Sequence, residues 1–251
     1  MALTETNGNW ILDEIEAQAV VRTDMLELSG TKCFVTDADA AKFCIVSVNV
    51  EAKARLALVK REQIPDGNLH REIVIDETRR SYQLDLDGIT VPVDQLLGGS
   101  DFQAIEFASL LLLSAEITGG LVGSIHTIVE YLNTRRAFDK VIGSYQALKH
   151  PTVKILLDLE AMRSHLYHAA TRLAEGKTDE AEVALRMAKA HGSAAFAFAG
   201  DRGVQFHGGF GFTYECDAQL YLRRALWCQY QSGDEAYHRH LLEPMLLDQA
   251  G

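Results

Sequence analysis

Two periodicities divide the chain. Up to about residue 99, apolar side chains come in short β-branched runs or alternate with polar ones, as in FCIVSVNV (43–50), ARLALVK (54–60), REIVID (71–76) and SYQLDLDGITVP (81–92). Alternation places successive side chains on opposite faces of a strand, and short apolar runs suit strands covered on both faces. Ser29-Gly30, Pro65-Asp66-Gly67 and Asp87-Gly88 supply the turns between them. The stretch 1–99 therefore reads as a compact β-domain, a sandwich or small barrel.

After Gly98-Gly99-Ser100 the spacing becomes helical, and no proline interrupts the chain between Pro151 and Pro244. Helices are expected at roughly 101–135, 147–175, 178–201 and 215–247. Thr178 is placed to cap the third, with Asp179, Glu180 and Glu182 complementing the positive end of its dipole. The stretch HGSAAFAFAG (191–200) is rich in small residues, which suits close helix packing. Long helices with short connections imply an antiparallel four-helix bundle over 100–251, and the fold class expected for the whole is α+β.

Composition narrows the class of protein. Of 251 residues 47% are hydrophobic and 24% charged, an ordinary globular balance. A net charge of -11 argues against nucleic acid or an anionic membrane as the main partner. The most apolar window, Ala108 to Ile125, contains Glu116 and Gly119-Gly120 and reads as a buried helix, not a membrane span. Cys33, Cys44, Cys216 and Cys228 form no C-x-x-C pair, so reduced thiols and a cytoplasmic location are expected. MALTETNGNW lacks the basic and apolar regions of a signal peptide. His165-x-x-His168 has no neighbouring carboxylate or thiol, and no metal site is expected.

Two stretches carry candidate chemistry. RRAFDKVIGSYQALKH (135–150) sets Arg135 and Gln146 around a helix-loop-helix turn, offering a guanidinium fork and an amide to a pyrophosphate. In VQFHGGFGF (204–212), Gly208, Gly209 and Gly211 let backbone approach a ligand closely, and Gln205 can bond it. Taken alone, each stretch also fits an ordinary inter-helix turn with solvated charges. The glycine stretch is not a P-loop, because no lysine and hydroxyl residue follow in register.

Together, GTKCFVTDADAA (30–41), RRAFDKVIGSYQ (135–146) and VQFHGGFGFTYECDAQLYLRRA (204–225) resemble, in order, motifs of the flavin-dependent acyl-CoA dehydrogenases. ALTE (2–5) is similar to the segment that opens that family's middle β-domain, and DETRR (76–80) and LYLRRA (220–225) resemble subunits of bacterial steroid side-chain dehydrogenases. The resemblance implies FAD held between the β-domain of one subunit and the bundle of another. By position, it implies that Leu3 and Thr4 line the flavin, that Phe34 stands where an aromatic covers it, and that Thr36 supplies a hydroxyl near its reactive nitrogen. Arg135, Gln146, Gln205 and Gly209 match residues that reach a neighbour's diphosphate and adenosine.

The sequence departs from the family at the chemistry. The reaction needs a carboxylate base to take the α-proton of an acyl thioester. The two positions where the family places it carry Ser232 and Ser109 here. Glu106 is the candidate shifted base, and Glu116 reads as a paired interior carboxylate. A helical domain that precedes this segment in the family has no counterpart in the sequence, so either a partner chain covers that face or the sequence is truncated. The expectation is therefore an FAD-dependent subunit that dehydrogenates an acyl-CoA within a heteromer. A related acyl-CoA dehydrogenase chain would supply the base, and an electron-accepting flavoprotein would take the electrons. The alternatives are a self-sufficient homo-oligomeric dehydrogenase using Glu106, or a non-catalytic structural subunit.

Overall fold

The computed structural model describes residues 1–98 and 102–247. It comprises two compact units that divide between Ile105 and Glu106. The boundary expected after residue 99 falls at residues 99–101, outside those described.

The first unit holds β1 (Gln18–Arg22), β2 (Met25–Ser29), β3 (Thr31–Thr36), β4 (Phe43–Val50), β5 (Lys53–Lys60), β6 (Leu69–Glu72), β7 (Ser81–Asp85) and β8 (Thr90–Pro92). One sheet runs β5-β4-β1-β2-β8 and the other β3-β7-β6. The longest ladder, from Phe43↔Lys60 to Val50↔Lys53, closes on Glu51-Ala52. Both loop residues have positive φ, the geometry that matches a two-residue hairpin to strand twist. Val46, Val48, Leu26 and Leu28 of the larger sheet and Leu84 of the smaller belong to one buried cluster. The arrangement is thus two packed sheets and not a closed barrel.

Two strands are shorter than their sequence pattern suggests. Of the expected 71–76 stretch only Arg71 and Glu72 are paired, as the end of β6, and Ile73 is 99% exposed. The ladder ends where the Glu72 carboxylate turns to accept the Phe34 N–H at 3.0 Å and the Ser81 hydroxyl at 2.7 Å. The 81–92 stretch divides at Asp87-Gly88, because the chain changes sheets there between β7 and β8.

The second unit contains α1 (Phe102–Thr134) from Glu106 onward, a hairpin of β9 (Arg136–Ala137) and β10 (Lys140–Val141), α2 (Gln146–Ala174), α3 (Thr178–His207), α4 (Ala218–Tyr230) and α5 (Glu235–Leu247). Phe107, Leu110, Ser114, Ile117, Leu121, Ser124, Ile128 and Leu132 form the buried stripe of α1, spaced for one helical face. By length and composition α1 could cross a membrane, and a third of its apolar window is buried. Glu106 of α1 pairs with Arg186 of α3, and Tyr131 near the end of α1 stacks on His207 near the end of α3. These contacts make α1 and α3 parallel. Gly200 facing Leu222 and Lys189 bonded to the Gln229 carbonyl run α4 antiparallel to α3. The first four helices therefore form the up-down bundle that short connections favour.

Three helical features differ from expectation. Helix α3 continues to His207 and absorbs Val204–His207, ending only where Gly208 takes φ +63, a backbone angle that suits glycine. Thr178 is the first helical residue and makes no side-chain cap. The expected fourth helix is two, α4 and α5, broken at Ser232 (φ 55) and Gly233 (φ 96).

Candidate functional site

The candidate residues fall into two groups, one in each unit. In the β-unit a register shift between Lys32 and Val35 bulges β3 at Cys33-Phe34. Phe34 takes φ 56 and leaves its ring 45% exposed, which is costly for an aromatic in both backbone and solvation. The Cys33 N–H donates to the Thr4 carbonyl at 2.9 Å, so Leu3-Thr4 lies against the bulge. Thr36, two residues beyond Phe34, is half-buried and pairs with Ser81 of β7. Leu3, Thr4, Phe34 and Thr36 thus cluster at one end of β3.

In the helical unit, Arg135, Gly208 and Gly209 line a cleft of about 560 Å³ together with Tyr131, His207 and Phe210. Tyr131 and His207 stack at 4.0 Å, and the His207 Nδ1 lies 2.7 Å from the Gly203 carbonyl, so that wall is fixed. A Cβ on Gly208 or Gly209 would meet nothing within 4 Å, so space is open above both residues. Among the described residues the Arg135 guanidinium has no hydrogen-bonding or ionic partner, and the residue is exposed. An unpaired guanidinium beside open glycine backbone is a donor set that fits an anionic group such as a diphosphate. Gln146 and Gln205 are exposed but do not line this cleft; Gln205 projects from the last turn of α3.

Sequence reasoning missed Phe138. It sits at the tip of the β9–β10 hairpin with φ 53 and 90% exposure, three residues from Arg135. Phe-Asp in a two-residue loop, where Asn-Gly is the strain-free choice, was its signal.

The candidate bases have settled surroundings. Glu106 Oε1 lies 3.0 Å from Arg186 Nη1, while Arg186 also gives two hydrogen bonds to Glu182. Glu116 Oε1 accepts from Arg224 at 2.6 Å, so it is paired as expected, but it is half-buried and not interior. Ser109 is half-buried on α1. Ser232 occupies a left-handed turn held on every side. Lys189 is fully buried and donates to the carbonyls of Gly233 (2.7 Å) and Gln229 (3.1 Å) and to Ser193 Oγ (3.0 Å). Burial brings its ammonium down to about 8. His238 is also fully buried, and its Nε2 lies 2.8 Å from the Ser232 carbonyl. Burial, aided by Lys189, pushes its pKa down to about 4. Among the described residues no three His, Cys, Asp or Glu side chains gather as a metal site requires.

Two packed sheets and a helical bundle define an α+β protein, and its helical unit carries an open cleft beside Arg135. Residues 111–246, more than half of the chain, match the acyl-CoA dehydrogenase C-terminal domain. The chain belongs to the acyl-CoA dehydrogenase family, and membership implies FAD as the cofactor. It is 29% identical over 199 residues to the acyl-CoA dehydrogenase FadE12 of Mycobacterium tuberculosis, an alignment covering 75% of this chain and 51% of FadE12. The chain thus spans about half the length of that relative. A solved structure described as an FAD-dependent dehydrogenase superposes with TM-score 0.88 at 23% identity, covering 98% of this chain and 69% of the other. The ChsE4-ChsE5 complex from Mycobacterium tuberculosis gives TM-score 0.86 at 23% identity, covering 98% of this chain and 65% of that one. These structural likenesses establish the shared fold.

Proposed function

We propose that the chain is an FAD-binding subunit of an acyl-CoA dehydrogenase in which a related partner chain supplies the catalytic carboxylate. The observation that carries this reading is the state of the base positions. Ser232 and Ser109 offer only hydroxyls, and the displaced candidate Glu106 is engaged by Arg186 at 3.0 Å. A serine hydroxyl without a basic partner does not take a proton from carbon at neutral pH. The ChsE4-ChsE5 structure, which shares this fold, is a complex of two named components, and this supports a heteromeric assembly.

On this reading the β-unit (1–99) presents the flavin-facing edge and the helical unit (100–251) supplies contacts to the dinucleotide and to neighbouring subunits. Arg135 and the backbone of Gly208-Gly209 hold the diphosphate of a neighbouring subunit's FAD, with Gln146 and Gln205 reaching its flanks. Phe34 excludes water from one side of the ring, while Leu3, Thr4 and Thr36 orient its polar edge. FAD supplies the hydride acceptor for α,β-dehydrogenation of an acyl-CoA thioester, and an electron-accepting flavoprotein takes the electrons onward. The free thiols of Cys33, Cys44, Cys216 and Cys228 support a cytoplasmic location.

The test is a visible spectrum with native mass spectrometry, on the chain alone and co-expressed with a related dehydrogenase chain. A yellow hetero-oligomer that dehydrogenates acyl-CoA only when both chains are present is the expected result. Ordinary enzymatic turnover by the purified chain alone overturns the reading in favour of self-sufficiency, and flavin in neither sample overturns it in favour of a structural subunit.

A further inference from the structure

Glu5 and Lys32 form a charged pair inside the β-unit, 5% and 0% exposed, with Lys32 Nζ 2.6 Å from Glu5 Oε1. Isolated charges in such a place cost several kcal/mol, and a buried pair is on average no more stable than an apolar pair of the same volume. What distinguishes this one is the position of its partners. Lys32 Nζ also donates to Ser47 Oγ at 2.8 Å, and Ser47 Oγ lies 3.4 Å from the Leu3 carbonyl. The Glu5 carboxylate accepts the N–H groups of Glu16 at 2.7 Å and Ala17 at 2.9 Å. Burial raises the Glu5 carboxyl, but Lys32 and these two amides more than reverse it, so the group stays below the usual carboxylate range. Lys32 comes from the three-stranded sheet, and Ser47 and Ala17 adjoin the five-stranded one.

The pair therefore joins both sheets through the first five residues. Ala2 bridges Val46, Glu5 bridges Lys32, and Leu3-Thr4 is suspended between those two bridges. Next to Thr4 stands the Cys33-Phe34 bulge, bonded through the Cys33 N–H. An apolar pair could fill this volume but has no directional bond to fix the register of a segment that only isolated bridges hold. With water excluded, the ammonium and carboxylate bonds meet little competition.

We propose that Lys32 and Glu5 are positioning residues: their buried pair sets Leu3-Thr4 against the Phe34 bulge and so shapes the edge that faces the flavin. The proposal rests on the reading that this edge receives FAD. Neither residue touches the cofactor; both act through the main chain of residues 3–4 and 33–34.

The double variant Lys32→Met/Glu5→Gln removes both charges and keeps an acceptor for the Ala17 amide, and Ser47→Ala breaks the link to Leu3 while leaving the ion pair. Amide hydrogen exchange is read at Cys33, which reports the bond to Thr4, with Leu28 (bonded to the Ile89 carbonyl at 2.9 Å) as an internal reference. Exchange at Cys33 should rise about tenfold or more over the reference in the double variant and less in Ser47→Ala, since a segment held by isolated bridges opens before the sheets do. FAD titration of the chain, or of its co-expressed complex, should show weaker binding in the double variant and a changed visible flavin band. Unchanged Cys33 exchange in both variants refutes the clasp. Looser exchange with the same FAD affinity and band shape reduces the pair to a structural staple and overturns the proposal. Failure of the wild-type chain and complex to take up FAD overturns instead the reading beneath it.

Discussion

Two adjacent glycines on α1 make opposite demands. Gly119 is exposed, and a Cβ there would meet nothing within 4 Å. At Gly120 the same atom would lie 2.2, 2.6 and 2.8 Å from Cζ, Cε1 and Cε2 of Phe196. That ring is fully buried on α3, so it cannot swing into solvent and must displace its own neighbours. Gly119→Ala should therefore gain the helix-propensity difference, roughly 0.5–1 kcal/mol. Gly120→Ala has the same gain but meets an overpacking cost of about 1–3 kcal/mol or more in a close-packed interior. The two variants should thus differ by about 2 kcal/mol or more, or several degrees in unfolding midpoint at this chain length. Urea unfolding followed by far-ultraviolet circular dichroism, with slopes compared to check that the transition is unchanged, measures the difference. Phe196→Leu in the Gly120→Ala background should restore part of the loss, with a coupling energy of about 1 kcal/mol in the double-mutant cycle. Equal stabilities at the two positions, or a coupling near zero, would refute the α1–α3 packing.

Arg135→Ala should leave the unfolding midpoint within about a degree, because an exposed, unpartnered side chain contributes little to stability. It should weaken FAD binding about tenfold or more, since a charge-assisted bond is worth roughly 1.5–3 kcal/mol; equilibrium titration reads this, and unchanged affinity removes Arg135 from the site. Glu106→Gln should keep flavin and leave turnover of the assembled enzyme within a few-fold, whereas abolished turnover with FAD still bound would make Glu106 the base. His238 has its pKa depressed by burial to about 4 in the folded chain, against about 6.5 unfolded. The unfolded state therefore binds the extra proton first as pH falls, and the stability His238 contributes is complete above about 6.5 and lost toward about 4. The wild-type minus His238→Gln stability difference should shift by an amount on the order of 1–3 kcal/mol across that window. A flat difference would show that the imidazole is not held neutral.

Local patterning made much of this protein legible. Strand β4 has the bounds its alternation suggests, Phe43–Val50, and the start and end of α1 and α2 fall within a residue or two of their periodic stretches. Such features depend on which face each side chain must hide, and neighbouring residues carry that information. The ordered motifs likewise placed the chain in its family, and they marked Arg135 and Gly209, which share one cleft.

What local pattern could not decide were contacts between residues far apart in sequence. Helix α3 runs through Val204–His207 because nothing stops a helix before Gly208, so the glycine stretch is half helix and half turn. Whether Glu106 is a free base or an ion-pair partner depends on Arg186, and whether His238 is solvated depends on α5 folding it beneath the Ser232 turn. Lys32 reads as an ordinary surface lysine in its own strand; only the arrival of Glu5, twenty-seven residues away, makes its burial tolerable. The sequence alone determined which segments become strands and helices and which family they compose, because solvent partition along each element is a local matter. Charge pairing, burial of titratable groups and the shape of the clefts belong to tertiary structure, because the cost of burying a charge is decided by whichever group the fold brings to meet it.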